Sequence, residues 1–383
     1  MRNNFDLFII GGGINGAGIA RDASGRGLKV CLVDKGEIGG ATSSWSTKLI
    51  HGGLRYLENY EFKLVRESLK EREIILHIAP NITKPIPFII PHSKKMRPAW
   101  LIKIGLRLYD FLSGKSVIPK SKSINLLKKF PNILKKKFIK GFQYYDVQVD
   151  DKKLTQLNAQ DARKNNATII ENTKVFKVER FQNHWKIYLE NDQIITSNIL
   201  INATGPWINE VSKDIIKIKS KKSIRLIKGS HIIIKKLYDE EIAFTLQNED
   251  KRIIFVIPYK EKYSLIGTTE VEVKSPENPK IDQEEIKYLI KSVNNYFIKQ
   301  ISLSDIIDTY AGIRPLIEDF KEATKVTRDY IFDLNIENEL SPLLSIYGGK
   351  LTTYRKLSDN VFDELKLFLP SHTGKSWTDK KKI

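Results

Sequence analysis

A glycine-rich turn near the amino terminus places the strongest constraint on the fold. The stretch DLFIIGGGINGAGIARDASGRGLKVCLVDKGE reads as strand, tight turn, helix and strand, which is one βαβ unit of a parallel sheet. Gly11, Gly13 and Gly16 have the G-x-G-x-x-G spacing, in which the missing side chains permit a tight turn and a close approach of backbone to pyrophosphate. The sequence therefore predicts a dinucleotide site on a Rossmann-type sheet.

An acidic residue follows at the place where such a site binds ribose. Asp34 ends the second predicted strand, 21 residues after Gly13, where its carboxylate can accept hydrogen bonds from ribose hydroxyls. An acid here disfavours NADP, but NAD and FAD share the fingerprint. The regular βα alternation stops after Asp34, and glycine-rich strand ends return only near Gly205 and Gly348. This spacing favours FAD held by segments that are far apart in sequence.

Length and composition permit two domains. The chain has 383 residues, of which 41% are apolar. Its single cysteine, Cys31, excludes an internal disulfide and argues against cysteine-ligated metals, so we predict no metal site and a reducing compartment. The amino terminus lacks a signal-peptide pattern, and no uncharged apolar run reaches the roughly 18 residues of a membrane-spanning helix. We expect a soluble or peripheral protein.

Positive charge is concentrated in residues 94–140. The chain has a formal net charge of +19, and this segment holds fourteen Lys or Arg residues against one acid, Asp110. Trp100, Ile104 and Phe111 alternate with the cations, which is typical of a helix that lies on an anionic membrane surface. Because Lys, Asn and Ile are abundant throughout the chain, compositional drift is an alternative interpretation. No helix-turn-helix or aromatic RNA-binding motif is present, so we expect no nucleic acid partner.

The remaining chain alternates between strand-like and helix-like segments. Apolar residues recur at helical spacing in 60–79 and 282–300, and short alternating runs typical of strands occupy 170–205 and 224–270. Residues 343–369 read as strand, glycine turn and helix. No internal repeat or long linker divides the chain, so we predict interleaved domains.

A series of motifs also occurs in the order typical of one enzyme family. Over roughly residues 5–370 the chain resembles the aerobic, FAD-dependent, quinone-linked glycerol-3-phosphate dehydrogenases, through IIGGGINGAGIARDASGRGL, ATSSWSTKLIHGGLRYLENYEFKLVRESLKERE, RPAWLIKIGLRLYD, INATGPW, IRLIKGSHI, LQNEDKRIIFVIP, IGTTEVE, AGIRPL, TRDY and GGKLTTYRKL. The resemblance implies a mixed α/β (α+β) fold with a discontinuous Rossmann-type FAD-binding domain and an interleaved antiparallel-sheet substrate domain. Family members usually continue into a C-terminal helical domain, which we expect this chain to lack.

The domain bounds follow from the predicted elements and the resemblance. We predict an FAD-binding domain of residues 1–79, 141–215 and 308–370, a substrate domain of residues 80–140 and 216–307 with its membrane-facing segment at 94–140, and a tail of residues 371–383.

The resemblance implies a reaction and a location. The expected reaction oxidises sn-glycerol 3-phosphate to dihydroxyacetone phosphate, with the C2 hydride passing to flavin N5 and the electrons to membrane quinone. This implies a role in glycerol metabolism and the respiratory chain, and a cytoplasmic protein attached peripherally to the inner face of the cytoplasmic membrane. A homodimer is compatible with the sequence. The alternatives are an FAD oxidase that uses oxygen, such as a glycerol-3-phosphate oxidase, and a non-catalytic flavin- or membrane-binding remnant.

The substrate phosphate and hydroxyl call for cations and a base. A phosphate dianion is bound best by two or more cations. The resemblance assigns this binding to Arg55, Arg314, Arg328 and Lys350, with the Tyr56 hydroxyl as a further donor. A histidine is the first choice as base for the hydroxyl proton, and the resemblance favours His231, with Arg314 as a second catalytic candidate.

The cofactor needs hydroxyls, amides and a cation. The GGKLTTYR turn suits the negative charge that develops near flavin N1 on reduction, whereas the hydroxyls of ATSSWSTK serve equally well as ligands or as turn caps. His51 is expected to orient its loop or contact the flavin, and Trp207 is expected to pack in the core. The predicted FAD-binding residues are Gly11, Gly13, Ile14, Asn15, Gly16, Asp34, Lys35, Thr42, Ser43, Ser44, Thr47, Leu49, Val175, Ala203, Gly205, Gly349, Lys350 and Thr352.

Overall fold

Two sheets and the helices around them make up the described part of the chain. The computed structural model describes residues 4–93, 96–218, 220, 222–318, 329–337 and 340–383. The strands are β1 (Asn4–Ile10), β2 (Val30–Val33), β3 (Leu49–Ile50), β4 (Thr83–His92), β5 (Lys122–Asn125), β6 (Lys140–Val149), β7 (Thr168–Ile170), β8 (Val175–Arg180), β9 (Trp185–Leu189), β10 (Ile194–Asn202), β11 (Ile224–Lys235), β12 (Ala243–Gln247), β13 (Ile253–Tyr259), β14 (Tyr263–Gly267), β15 (Val271–Val273), β16 (Ile306–Ile317), β17 (Tyr330–Asn335) and β18 (Leu343–Gly348). The α-helices are α1 (Ile14–Gly25), α2 (Phe62–Ile78), α3 (Ala99–Ser113), α4 (Leu126–Lys129), α5 (Asp151–Lys164), α6 (Ile208–Glu210), α7 (Gln283–Tyr296) and α8 (Tyr354–Leu365).

The first sheet has the strand order β17-β18-β10-β1-β2-β7, with the β8–β9 hairpin added through β10. Its centre is parallel, since β1 pairs in parallel with both β2 and β10. The β2 side chains are all buried because helices α1, α5 and α8 cover one face of the sheet and the β8–β9 hairpin covers the other. This confirms the Rossmann-type unit that the glycine spacing predicts.

The second sheet has the order β15-β11-β14-β13-β12-β4-β6-β3, with β16 paired to β11 and β5 paired to β6. Pairing among its described strands is antiparallel except between β4 and β12, which run parallel. Helix α7 packs on one face, and helices α2 and α3 pack on the other through Val65, Leu69, Leu106 and Tyr109. The described sheet is thus mainly antiparallel with one parallel pair, which agrees with the fold class that the resemblance implies.

Two segments that were predicted to belong to the FAD-binding domain lie in the second sheet. Residues 141–149 and 308–317 were assigned to the FAD-binding domain, but β6 pairs along its whole length with β4, and β16 pairs along β11. Both strands therefore belong to the second sheet. The local sequence pattern identifies a strand but not its distant partner, which explains the difference. The other domain bounds stay a prediction.

Residues 374–383, assigned to the tail, pack against the first sheet's helices. The Trp377 indole lies 4.9 Å from the Arg21 guanidinium and donates to the Asp22 carbonyl at 3.1 Å. Among the described residues, no helix has both the length and the apolar composition needed to cross a membrane.

Candidate active site

A cavity of about 1430 Å³ lies between the two sheets. Its wall includes the carboxyl ends of β1, β2 and β10, where a doubly wound sheet binds its ligand. The volume exceeds the roughly 300–1,000 Å³ that is usual for a single drug-sized ligand. There is room for a dinucleotide and a small substrate together.

The glycine turn between β1 and α1 closes one end of this cavity. Gly11 has a φ of +108°, and a Cβ there would lie 2.6 Å from the Ala203 carbonyl oxygen. A Cβ at Gly16 would lie 1.9 Å from the Gly11 carbonyl oxygen, so this glycine lets α1 approach the turn without lining the cavity. Gly13 lines the cavity, and a Cβ added there would meet a single atom within 4 Å, Ser43 Oγ at 3.3 Å. The first turn of α1 thus faces open space that suits a pyrophosphate.

Asp34 ties the glycine turn to the end of β2. Its carboxylate accepts the Gly12 amide at 2.5 Å and the Gly36 amide at 2.8 Å. Burial raises the pKa of this carboxyl, while the two amides and Lys35 act in the opposite direction. Because a carboxylate has about four acceptor positions, the group can also accept from ribose hydroxyls.

Three side chains close over this end of the cavity. Glu277, in the segment between β15 and α7, accepts from Trp207 Nε1 at 2.5 Å and from Lys35 Nζ at 3.1 Å. The Lys35 ammonium also lies 4.2 Å from the Trp207 ring centroid. All three line the cavity, so Trp207 is part of its wall, whereas the sequence suggested a packing role. We call this trio the Glu277 latch.

The predicted hydroxyl residues of the 41–48 segment have different surroundings. Thr42 Oγ1 donates to the Ile313 carbonyl at 2.8 Å, and Ser43 Oγ accepts the Ile14 amide at 2.9 Å. Ser44 is buried, donates to the Gly39 carbonyl and does not line the cavity. Thr47 does line it. The Thr42 hydroxyl therefore connects this segment to β16, and the Ser43 hydroxyl connects it to the first turn of α1. Both residues also line the cavity.

A buried ion pair fixes the next part of the segment. Lys48 Nζ lies 2.6 Å from Asp151 Oδ1, and Ser46 Oγ donates to Asp151 Oδ2 at 2.6 Å. Asp151 opens α5 and is fully buried. Sequence reasoning missed this carboxylate, because nothing in the local sequence connects it to residues 46–48. The ion pair holds Thr47 at the cavity wall.

Three predicted cations come from segments that are distant in the sequence. Arg55 follows β3, Arg314 lies on β16 and Lys350 follows β18, and all line the cavity. Arg314 donates to Thr268 Oγ1 at 2.9 Å and lies 3.9 Å from Glu270. Lys350 Nζ lies 4.9 Å from the Tyr56 ring and donates to Ser68 Oγ. The cavity wall thus carries three positively charged side chains that suit an anionic ligand.

Other residues of the predicted motifs were only partly interpreted from the sequence. Glu270 and Thr268 line the cavity beside Arg314, and both belong to the IGTTEVE motif, to which the sequence gave no role. The His51 amide donates to Thr352 Oγ1 at 3.2 Å, which fits the loop-orienting alternative for His51. Arg328, the fourth predicted cation, lies outside the described residues.

His231 lies behind the cavity wall. Its side chain is 1% exposed, stacks on Tyr310 with 4.6 Å between ring centroids, and reaches Thr47 Oγ1 through Nε2 at 3.0 Å. Burial lowers its pKa well below the usual range, and the positive charges of Arg314 and Lys48 add to the effect. The imidazole is therefore neutral at neutral pH, and it meets the cavity through the Thr47 hydroxyl.

Most of the predicted site residues thus share one cavity. Those that line it are Gly11, Gly13, Ile14, Asn15, Asp34, Lys35, Thr42, Ser43, Thr47, Leu49, Arg55, Tyr56, Val175, Ala203, Gly205, Arg314, Gly349, Lys350 and Thr352. Gly16, Ser44 and His231 support the wall from behind. The individual roles stay predictions, but an open glycine cradle and three cations on one cavity wall fit FAD and an anionic substrate.

Comparison with known proteins agrees with this geometry. The sequence model of the family described as FAD dependent oxidoreductase (DAO) matches residues 6–355. A glycerol-3-phosphate dehydrogenase of Pseudomonas aeruginosa is 46% identical over 382 residues, which cover 98% of this chain and 74% of that protein. A D-erythritol 1-phosphate dehydrogenase of Brucella abortus is 44% identical, over 97% of this chain and 76% of that protein.

A solved structure gives the same result. The glycerol-3-phosphate dehydrogenase of Bacillus halodurans, complexed with FAD, superposes with a TM-score of 0.72 at 28% identity. The match covers 96% of this chain and 65% of that one, so this chain spans just under two thirds of that protein's length. The chain therefore belongs to the FAD-dependent oxidoreductase family, in the group that contains the glycerol-3-phosphate dehydrogenases, and its cofactor is FAD.

Proposed function

We propose that the protein oxidises sn-glycerol 3-phosphate to dihydroxyacetone phosphate. The observation that carries the proposal is that Arg55, Arg314 and Lys350, from three distant segments, line the same cavity as the dinucleotide fingerprint. A phosphate dianion is bound best by two or more cations with several N–H donors, and these three side chains supply both. The names of the Pseudomonas and Brucella relatives both specify a phosphate ester.

The chain's own residues bind and orient the substrate. Arg55 and Arg314 bind the phosphate, and the Tyr56 hydroxyl donates a further hydrogen bond. Lys350, above the Tyr56 ring, adds positive charge between the phosphate and the cofactor. FAD, when bound, supplies the two-electron acceptor for the C2 hydride.

The hydroxyl proton of the substrate needs an acceptor. We assign it to His231 Nε2 with the Thr47 hydroxyl as relay, since Thr47 lies between this imidazole and the cavity. The lowered pKa of His231 keeps the ring neutral and able to accept. The same shift disfavours the protonated ring, so the proton is held there only briefly.

The electron acceptor and the location are further parts of the proposal. Helix α3 exposes Trp100 (64%), Ile104 (53%) and Phe111 (80%) beside the cations Lys103 and Arg107. Such a face suits insertion among anionic lipid headgroups. Ile104 also lines the cavity, together with Leu101 and Leu108 of the same helix, so a membrane-bound quinone would meet the protein at the cavity wall. We therefore propose quinone as acceptor and attachment at the inner face of the cytoplasmic membrane.

Anaerobic flavin bleaching tests the reaction. Glycerol 3-phosphate is expected to bleach the holoprotein, and quinone is expected to restore the colour faster than oxygen does. Arg314→Ala should retain FAD and raise the half-saturating substrate concentration roughly 10- to 150-fold, because a charge-assisted hydrogen bond contributes about 1.5–3 kcal/mol.

Arg252→Ala is the matched control. This guanidinium bonds to Asp250 and does not line the cavity, so its removal should leave bleaching unchanged. Bound flavin that glycerol 3-phosphate fails to bleach would support the remnant alternative. Rapid peroxide formation with slow quinone reduction would instead favour an oxidase.

A further inference from the structure

Helix α3 has a buried tyrosine opposite its exposed face. Tyr109 is 2% exposed, and its hydroxyl donates to Asp146 Oδ1 at 2.7 Å and accepts the Gly52 amide at 2.8 Å. Both the donor and an acceptor position of the hydroxyl are thus used inside the protein. This one oxygen connects α3 to β6 and to the segment after β3.

Asp146 is held in turn by a buried arginine. Arg72 Nη1, on α2, donates to Asp146 Oδ1 at 3.0 Å, and Arg72 Nη2 donates to Ser113 Oγ, the last residue of α3, at 3.1 Å. Arg72 is 3% exposed and Asp146 is also 3% exposed. Because its members are buried and hydrogen-bonded to one another, this network rigidly connects α3, α2 and β6.

The segment held by Tyr109 leads directly to Arg55 and Tyr56, the proposed phosphate ligands. Gly52 is followed by Gly53, whose φ is +76°, and then by the turn Leu54–Asn59 that brings Arg55 and Tyr56 to the cavity. A Cβ at Gly52 would lie 2.6 Å from the Tyr109 hydroxyl oxygen, so the backbone here is pressed against that group. The His51 amide is anchored on the other side by Thr352.

We infer that Tyr109 is a positioning residue that sets the place of Arg55 and Tyr56, and that contact made by the outer face of α3 changes substrate binding through it. The inference rests on the proposed function, since it takes Arg55 and Tyr56 as phosphate ligands and α3 as the membrane-facing helix. It adds a mechanical link between these two sites. The cavity lining also includes Leu101, Ile102 and Leu108 of α3. The helix therefore faces both the outside of the protein and the site.

Tyr109→Phe removes the link with little change in volume. In the holoprotein we expect FAD to stay bound and the limiting rate of anaerobic bleaching to stay within about twofold. The half-saturating glycerol 3-phosphate concentration should rise about 5- to 30-fold, because Gly52 and Asp146 each lose a buried partner. Vesicles of anionic phospholipid should shift the half-saturation of the wild-type protein and leave that of Tyr109→Phe unchanged.

Tyr238→Phe is the matched control. Tyr238 is also buried, and its hydroxyl bonds to the Ile242 and Val256 carbonyls, within the second sheet. The Tyr238→Phe substitution should lower thermal stability without changing the half-saturating glycerol 3-phosphate concentration. As a second measurement, amide hydrogen exchange in peptides that cover residues 51–60 should be faster in Tyr109→Phe than in Tyr238→Phe.

The outcomes separate this inference from the proposed reaction. Wild-type protein that glycerol 3-phosphate does not bleach would overturn both. Normal bleaching in the wild type, with half-saturation and loop exchange in Tyr109→Phe no different from those in Tyr238→Phe, would overturn the inference alone. An equal response of Tyr109→Phe and wild type to vesicles would also contradict the link.

Discussion

The burial of His231 determines its protonation state and its access to the cavity. The ring is buried against Tyr310 and touches the cavity only by way of Thr47. Nδ1 has no hydrogen-bond partner among the residues that the structure describes. Desolvation and the nearby cations both oppose protonation, so the folded protein holds this histidine as a neutral imidazole.

The same burial predicts a pH dependence of stability. The pKa of His231 is lowered in the folded state, so below about pH 6.5 the unfolded chain binds a proton that the folded chain does not. Stability is therefore lost as the pH falls below that value, by up to about 1.4 kcal/mol per pH unit. In His231→Gln this contribution is absent, so the free energy of unfolding should fall less steeply between pH 6.5 and 5.5. Urea unfolding at both pH values measures it, and parallel curves for the two proteins would contradict the prediction.

The Glu277 latch operates at the scale of elements. The segment between β15 and α7 extends from the second sheet and meets Lys35 and Trp207 at the nucleotide end of the first. Hydrogen bonds from Trp207 and Lys35 lower the pKa of Glu277, which keeps it ionised. Because these bonds join the two sheets at the cavity wall, we expect them to slow the release of a bound dinucleotide.

Removal of the latch carboxylate should speed cofactor loss. Glu277→Ala is expected to increase the rate of FAD release about threefold to tenfold, a modest factor because the ion pair is partly exposed. Flavin fluorescence after dilution of the holoprotein gives this rate without turnover. Glu284→Ala, which breaks an exposed ion pair with Lys287 on α7, should release FAD at the wild-type rate. Equal rates for Glu277→Ala and this control would exclude the latch.

The Glu277 latch is an example of a contact that the sequence did not predict. Gly11, Gly13 and Asp34 were predictable because their spacing along one βαβ unit fixes their geometry. Trp207 and Asp151 were not, since each acts through a partner that folding alone brings close. The sheet membership of β6 and β16 was unpredictable for the same reason. Local patterns specify elements, and long-range pairing specifies their neighbours.

At the scale of the whole molecule, helix α3 combines exposed apolar side chains with the cations Lys103 and Arg107. The net charge of +19 is concentrated in residues 94–140, whose helix α3 also exposes Trp100 and Phe111. Electrostatic attraction brings such a face to an anionic surface, and aromatic side chains then anchor it. The first effect is screened by salt and the second is not.

Vesicle binding should separate the two effects. Binding to vesicles of anionic phospholipid is expected to weaken as salt increases, and Trp100→Ser with Phe111→Ser should reduce it at least about tenfold at fixed salt. Co-sedimentation measures the bound fraction. The control is Phe176→Ser with Phe181→Ser, which removes two exposed aromatic rings outside α3. An equal loss for both double variants would contradict docking through α3.

The pairing of β1 with β10 and of β10 with β18 has a consequence for biosynthesis. A ribosome completes the glycine turn well before β10, and β10 well before β18, which precedes the Gly349 and Lys350 part of the cavity wall. Sheets closed by such long-range pairs form late. We therefore expect the flavin site of a nascent chain to stay incomplete until β18 has emerged, so that FAD binds only after that strand is made.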